Sequence, residues 1–162
     1  SQAHLAGELM ALNANVRLIH VPYKGTGPAL VDVIGGQVTM MFGQMSSVLP
    51  QIKSGKLRAI GVASLKRSAV LPDVPTLAEA GVKGAEVYSW QGLAAPKGLP
   101  PAVKDKLSAA AIAAINDPEV KKRMLEQGLE IVASTPTEFT AFQAREWTRW
   151  KTLIDTRKIT AD

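Results

Sequence analysis

Histidine occurs twice in the 162 residues, at His4 and His20, and cysteine does not occur. Thiolate nucleophiles, disulfides and cysteine-based zinc sites are therefore excluded. Neither histidine has a serine and a carboxylate placed to make a nucleophilic triad. No group of His, Asp and Glu has metal-ligand spacing. The chain reads as a protein that catalyses nothing, and no cofactor or metal is implied. His20 ends an apolar run and reads as a satisfied near-core residue. His4 stands in the first turn of a helix, whose N-terminus can face a ligand.

What remains is chemistry carried by the backbone. Gly25-Thr26-Gly27 follows an apolar run and opens a helix. It lacks both the dinucleotide fingerprint and the Gly-Lys-Ser/Thr of a phosphate loop. It does suit a turn whose N–H groups receive an anion. Ser1-Gln2-Ala3 supplies a second set of such donors, with a hydroxyl. Two helix N-termini converging on one crevice would hold a carboxylate without a charged side chain.

These positions need elements to hold them. Helices are expected over 1–13, 28–34, from Ser46 or Ser47 to Lys53, from Thr76 to Gly81, over 101–115, from Asp117 to Gly128, and from Thr135 onward. The marks are Ser, Thr or Asp at the starts, Pro in first turns and Gly at the ends. Thr76 with Glu79 makes a capping box. Apolar runs at 17–21, 38–42, 58–63, 87–95 and 129–133 are expected as strands. Strands alternating with helices on short connections imply an α/β fold around a parallel sheet. Ligands in such sheets bind at strand carboxyl ends and helix N-termini. Trp147 and Trp150, three apart, read as packing against that sheet, and Trp90 as buried or at a cleft. Gly98 to Pro101 is a strong break between an α/β part and a helical tail.

Composition narrows the partners. Nineteen basic residues against fourteen acidic ones give a net charge of +5, but the basic residues are scattered. Lys121-Lys122-Arg123, the densest group, has no interleaved aromatics for stacking and reads as a solvated helix face, so nucleic acid is not an expected partner. No apolar run approaches the length that spans a bilayer. Ser1 opens directly into a helix, so the chain reads as a processed or truncated product.

An ordered series of stretches resembles the tripartite tricarboxylate transporter substrate-binding family, also called the Bug family. Ser1-x-Ala3-His4-Leu5-Ala6-Gly7-Glu8 opens it, followed by Val21-Pro22-Tyr23-Lys24-Gly25 and Gly35-Gly36-Gln37-Val38-x-Met40-Met41-Phe42. Leu71-Pro72-Asp73-Val74-Pro75-Thr76, Ser89-Trp90-x-Gly92, Ala95-Pro96-x-Gly98-x-Pro100 and Thr135-Pro136-x-Glu138-Phe139 continue it. The resemblance covers nearly the whole chain.

It implies a periplasmic solute-binding protein whose two α/β lobes close on a small organic carboxylate and deliver it to membrane permease subunits. Residues 1–88 would form the second lobe. Residues 89–162 would form the crossover strand and C-terminal helices of an incomplete first lobe. A chain lacking that lobe's sheet is expected to form homo-oligomers. The ligand-binding positions implied are Ser1, Gln2, Ala3, Tyr23, Lys24, Gly25, Phe42 and Gly43. Ala3 falls where Ser is common in relatives, Gly43 where an acidic residue is frequent, and Thr39 where Asp is. Tyr23, Lys24 and Gly25 either border the cleft or form a turn without ligand contact. The alternative reading is an effector-binding module of a regulator with similar architecture.

Overall fold

The computed structural model describes residues 1–160. Six helices follow in order: α1 (Gln2–Ala14), α2 (Thr26–Ile34), α3 (Met45–Lys53), α4 (Pro101–Asn116), α5 (Pro118–Glu126) and α6 (Pro136–Arg157). Half of their starts are written locally by side-chain caps. Ser1 Oγ accepts from His4 N at 3.3 Å and caps α1. Asp117 Oδ1 accepts from Glu119 N and Val120 N at 3.0 and 3.2 Å, ahead of α5. Thr135 and Glu138 bond reciprocally, 2.8 Å from Thr135 N and 3.3 Å back to Thr135 Oγ1, and fix the start of α6.

Three helix expectations are corrected. α2 begins two residues before Pro28, because Gly25 at φ 107° makes the turn. Pro28 then lies in the first turn, where its missing N–H breaks no bond. α3 begins at Met45 behind Gln44, so Ser46 and Ser47 lie inside the helix and do not cap it. Residues 76–81 form hydrogen-bonded turns and not a helix, with Ala80 N on Thr76 O at 3.0 Å. Gly81, at φ 96°, ends them before a second turn can form.

The expected strands need the largest correction. Among the described residues, none of the runs 17–21, 38–42, 58–63, 87–95 and 129–133 joins a ladder. The one β-bridge pairs Val62 with Thr76 in parallel, through Val62 N to Pro75 O and Leu77 N to Val62 O, both 2.9 Å. A parallel strand is paired by neighbours brought from elsewhere in the chain. Among the described residues, runs 58–63 and 87–95 share the bond from Val87 N to Ala63 O at 2.7 Å, but no two of these runs form a ladder. Their apolar side chains are correspondingly open, with Ile19 85% and Val132 82% exposed.

The chain divides into two compact units, Ser1–Ser89 with the chain from Thr152 onward, and Trp90–Lys151. In the first unit Ala6 and Ala11 of α1, Leu49 of α3, Ala85 and Leu153 of α6 are buried, together with Thr76. Arg157 Nε donates to Glu8 Oε2 at 2.8 Å and ties the end of α6 to α1. In the second unit α4 packs on α5. Trp90 meets the rings of Phe139 and Phe142 edge-on, at centroid distances of 5.4 and 5.6 Å. Gly92 permits this cluster, since a Cβ there would fall 2.2 Å from Phe139 Cζ. Trp150 is half-buried and donates from Nε1 to Glu146 Oε2 at 2.9 Å. Trp147 is 67% exposed, which corrects its expected core role. The face it was to pack on would be a sheet that these residues do not form.

Around Thr76 the packing turns on one carboxylate. Glu79 Oε2 accepts from Arg67 Nε at 2.9 Å and from Thr76 N at 2.8 Å, while Thr76 Oγ1 accepts from Glu79 N at 3.0 Å. The Arg67 bond first, then the Thr76 N–H, hold the Glu79 carboxyl below its usual range. A depressed carboxylate stabilises the fold above its unfolded pKa, about 4.3, and loses that contribution as pH falls through its folded value. The thermal midpoint of the chain should therefore drop on acidification below about pH 4. Glu79→Gln should flatten that part of the profile, as read by circular dichroism melts between neutral and acid pH.

Candidate functional site

The first turn of α1 is the centre of the polar groups singled out from the sequence. Ser1 Oγ is engaged by His4 N, and Ser1 O accepts from Leu5 N at 3.1 Å. Among the described residues, the N–H groups of Gln2 and Ala3 have no protein acceptor. These are the donors that a helix leaves open at its start. Neither α1 nor α2 carries an acidic residue in its first turn, so the positive end of each helix dipole is not offset locally.

Several elements fix this turn. Gln2 Nε2 donates to Tyr88 O. The ring of His4 stacks on that of His20 with centroids 3.6 Å apart. Glu8, one turn further on, lies 3.9 Å from His4 Nε2. Phe42 approaches α1 at Gly7, where a Cβ would lie 4.0 Å from its ring. Gln44 Nε2 donates to Ser89 Oγ at 3.2 Å, joining the end of 38–42 to the end of 87–89. His20 is thus exposed and stacked, which corrects its near-core reading. It follows an apolar run that lacks sheet neighbours to bury it.

Of the eight expected site residues, Ser1, Gln2 and Ala3 form the first turn of α1 and its cap, and Phe42 reaches the second. Gly43 leads into Gln44, the residue ahead of α3. Tyr23, Lys24 and Gly25 belong to a separate small network around α2. Tyr23 Oη donates to Asp32 Oδ2 at 2.7 Å, and Gly25 N donates to Tyr23 O at 2.8 Å. Asp32 accepts hardest from the phenol, which together with burial raises the Tyr23 pKa above its ordinary value. Lys24 is exposed beside this turn. His20, three residues before Tyr23, stacks on His4 of α1.

Sequence reasoning missed Tyr88, Ser89, Gln44 and Asp32. Gln44 was visible as the polar residue after Gly43, and Asp32 as the one acidic residue within α2. Nothing local marks Tyr88, and Ser89 stood out only within the stretch Ser89-Trp90-x-Gly92; their partners lie 86 and 45 residues away.

Gly43 has a steric cause. A Cβ there would lie 2.3 Å from Val48 Cγ1. No side chain at this position therefore fits while Val48 keeps its rotamer.

Comparison with known proteins follows this geometry. The description "Tripartite tricarboxylate transporter family receptor" matches residues 1–159. A UPF0065 protein from the tcbD-tcbE intergenic region of Pseudomonas sp. (strain P51) is 40% identical over 160 residues. That alignment takes in 98% of this chain and 48% of the relative. Among solved structures, the periplasmic binding protein BugD is 38% identical with a TM-score of 0.87, over 99% of this chain and 54% of that one. R. palustris Rpa4515, solved with adipate, gives 31% identity and a TM-score of 0.90 over 99% and 54% of the two chains. MatC from Rhodopseudomonas palustris, solved with malate, gives 34% and 0.83 over 94% and 53%. The fold is therefore that of an α/β periplasmic binding protein. The chain spans about half the length of these proteins.

The Gly43–Val48 contact yields a stability prediction. Gly43→Ala should cost about 1–3 kcal/mol through overpacking, and distinctly less when made together with Val48→Ala. Urea denaturation of the two single variants and the double variant measures this coupling.

Proposed function

The chain belongs to the tripartite tricarboxylate transporter receptor family, and on that premise we propose that it captures a small organic carboxylate outside the cytoplasm for a membrane permease. The supporting observation is the first turn of α1, where two open N–H groups meet no acidic side chain. The carboxylate lies against the N–H groups of Gln2 and Ala3, with ordered water completing its shell. Thr26 and Gly27, at the start of α2, offer a second, similar set of donors. Two similar proteins were solved with adipate and with malate, both dicarboxylates, which agrees with two anion-receiving points. No step of this capture requires a general base, a nucleophile or a metal.

In this reading residues 1–88 are the second ligand-binding lobe, and residues 89–162 are the crossover and C-terminal helices of the first. The apolar runs without ladders are then edges that a further sheet covers. Taken alone, the 162-residue chain buries these edges against other copies of itself. Multi-angle light scattering of the isolated chain should accordingly give a mass above 17.2 kDa that rises with concentration. A concentration-independent monomer would contradict this part.

The capture site itself is tested by a substitution with opposite effects on stability and binding. Ala3→Glu places a carboxylate at the start of α1, where it should stabilise the helix by about 0.3–1 kcal/mol. The same charge should occupy the donors and repel the ligand. Affinity for malate or adipate, measured by isothermal titration calorimetry, should then fall about tenfold or more, equivalent to about 1.4 kcal/mol. Unchanged affinity in Ala3→Glu would count against the proposed site.

A further inference from the structure

The open N–H groups of Gln2 and Ala3 can aim at one point only if their turn is tied to the rest of the fold. The Ser1 cap does not tie it, because Ser1 Oγ and His4 N belong to the same turn. Gln2 does, by donating from Nε2 to Tyr88 O. Tyr88 is in turn held at both ends. On its backbone side, Val87 N donates to Ala63 O at 2.7 Å, and Ser89 Oγ accepts from Gln44 Nε2 at 3.2 Å. At the far end of its side chain, Tyr88 Oη accepts from Leu65 N at 2.8 Å. Leu65 belongs to a loop, 64–75, closed at its root by Val62 N on Pro75 O and Leu77 N on Val62 O. Ser64 Oγ donates to Lys66 O at 2.6 Å across the turn that holds Leu65. The Leu65 side chain is 71% exposed, so this chain of contacts runs from the candidate site to the surface.

We propose that Tyr88 is a positioning residue of the carboxylate site, linking loop 64–75 through its ring to the carbonyl that orients Gln2. This rests on the carboxylate-capture reading above, and Tyr88 acts through Gln2 rather than by touching the ligand. The connection is continuous, from the Leu65 N–H to the phenol oxygen and from the Tyr88 carbonyl to the Gln2 amide. Its links are hydrogen bonds, which demand direction, joined by a rigid ring. Removing the phenol oxygen frees the ring, and the carbonyl loses one of its supports. The helix keeps its Ser1 cap, so the loss falls on the aim of the donors and not on their formation. Coupling between two positions is reciprocal. Leu65 steadies the α1 donors, and a carboxylate on those donors steadies the Leu65 bond by the same factor.

Tyr88→Phe removes the acceptor for Leu65 N and keeps the ring. Affinity for malate or adipate, by titration calorimetry, should fall about threefold to tenfold, the net worth of one hydrogen bond. Gln2→Ala cuts the same path at its other end and should lower affinity by a similar factor. A second cut in one path adds nothing, so the double variant should bind no more weakly than the weaker single variant. The readout specific to this role is the Leu65 amide shift in a 15N-labelled sample, titrated with whichever of the two acids binds. In the unmodified chain it should move with the same midpoint as Gln2 and Ala3, by a smaller amount. In Tyr88→Phe it should stay still while Gln2 and Ala3 move. Far-ultraviolet circular dichroism matching the unmodified chain identifies folded variants. Gln2→Ala, which should silence Leu65 equally, carries the test if Tyr88→Phe does not fold. Unchanged affinity in Tyr88→Phe, losses that add in the double variant, or a Leu65 amide unmoved in the unmodified chain overturns this inference and leaves carboxylate capture standing. Binding of neither acid by the unmodified chain overturns both.

Discussion

The first turn of α1 is the point on which the candidate site depends. A helix start presents open N–H groups only if the turn is held in place by something other than those groups. Here the work is divided. Ser1 caps His4 N, Gln2 anchors its side chain on Tyr88 O, His4 stacks on His20, and Phe42 covers Gly7. Further along α1, Glu8 is tied to Arg157. None of these contacts uses the N–H groups of Gln2 or Ala3, which remain available at the positive end of the helix.

A second constraint is the fate of the apolar runs between the helices. Backbone N–H and C=O groups in a folded protein end in hydrogen bonds with protein or water. In this chain the runs at 17–21 and 38–42 make no ladder, and their side chains stay partly open. The periplasmic binding protein fold gives these runs a meaning that their own contacts do not. The chain shares that fold over about half the length of the similar structures. The small buried set of the first unit, mostly alanines and two leucines, agrees with a core that is only partly assembled within these residues.

Much of the helical scaffold was legible in the sequence because its causes are local. Ser1, Asp117 and the Thr135–Glu138 pair each stand within three residues of the N–H groups they satisfy. The strands were legible as apolar runs but not as a ladder, because pairing depends on partners distant in sequence or outside it. The same reason hid the aromatic outcome. Trp90 found Phe139 and Phe142 across the second unit, while Trp147, marked by the same spacing logic as Trp150, found nothing to cover it. At the site, the α1 donors and the Gly25 turn were visible as residue types. The pairing of Tyr23 with Asp32 and the clash that keeps Gly43 a glycine emerged only from geometry.

The central claim is that a ligand carboxylate rests on the first turn of α1. Amide chemical shifts in a 15N-labelled sample, followed during titration with malate, test it most directly. The account predicts that the largest and saturable shifts fall on Gln2 and Ala3, with a second group at Thr26 and Gly27. Saturable shifts centred in the second unit, between Trp90 and Lys151, with the α1 amides unmoved, would contradict it.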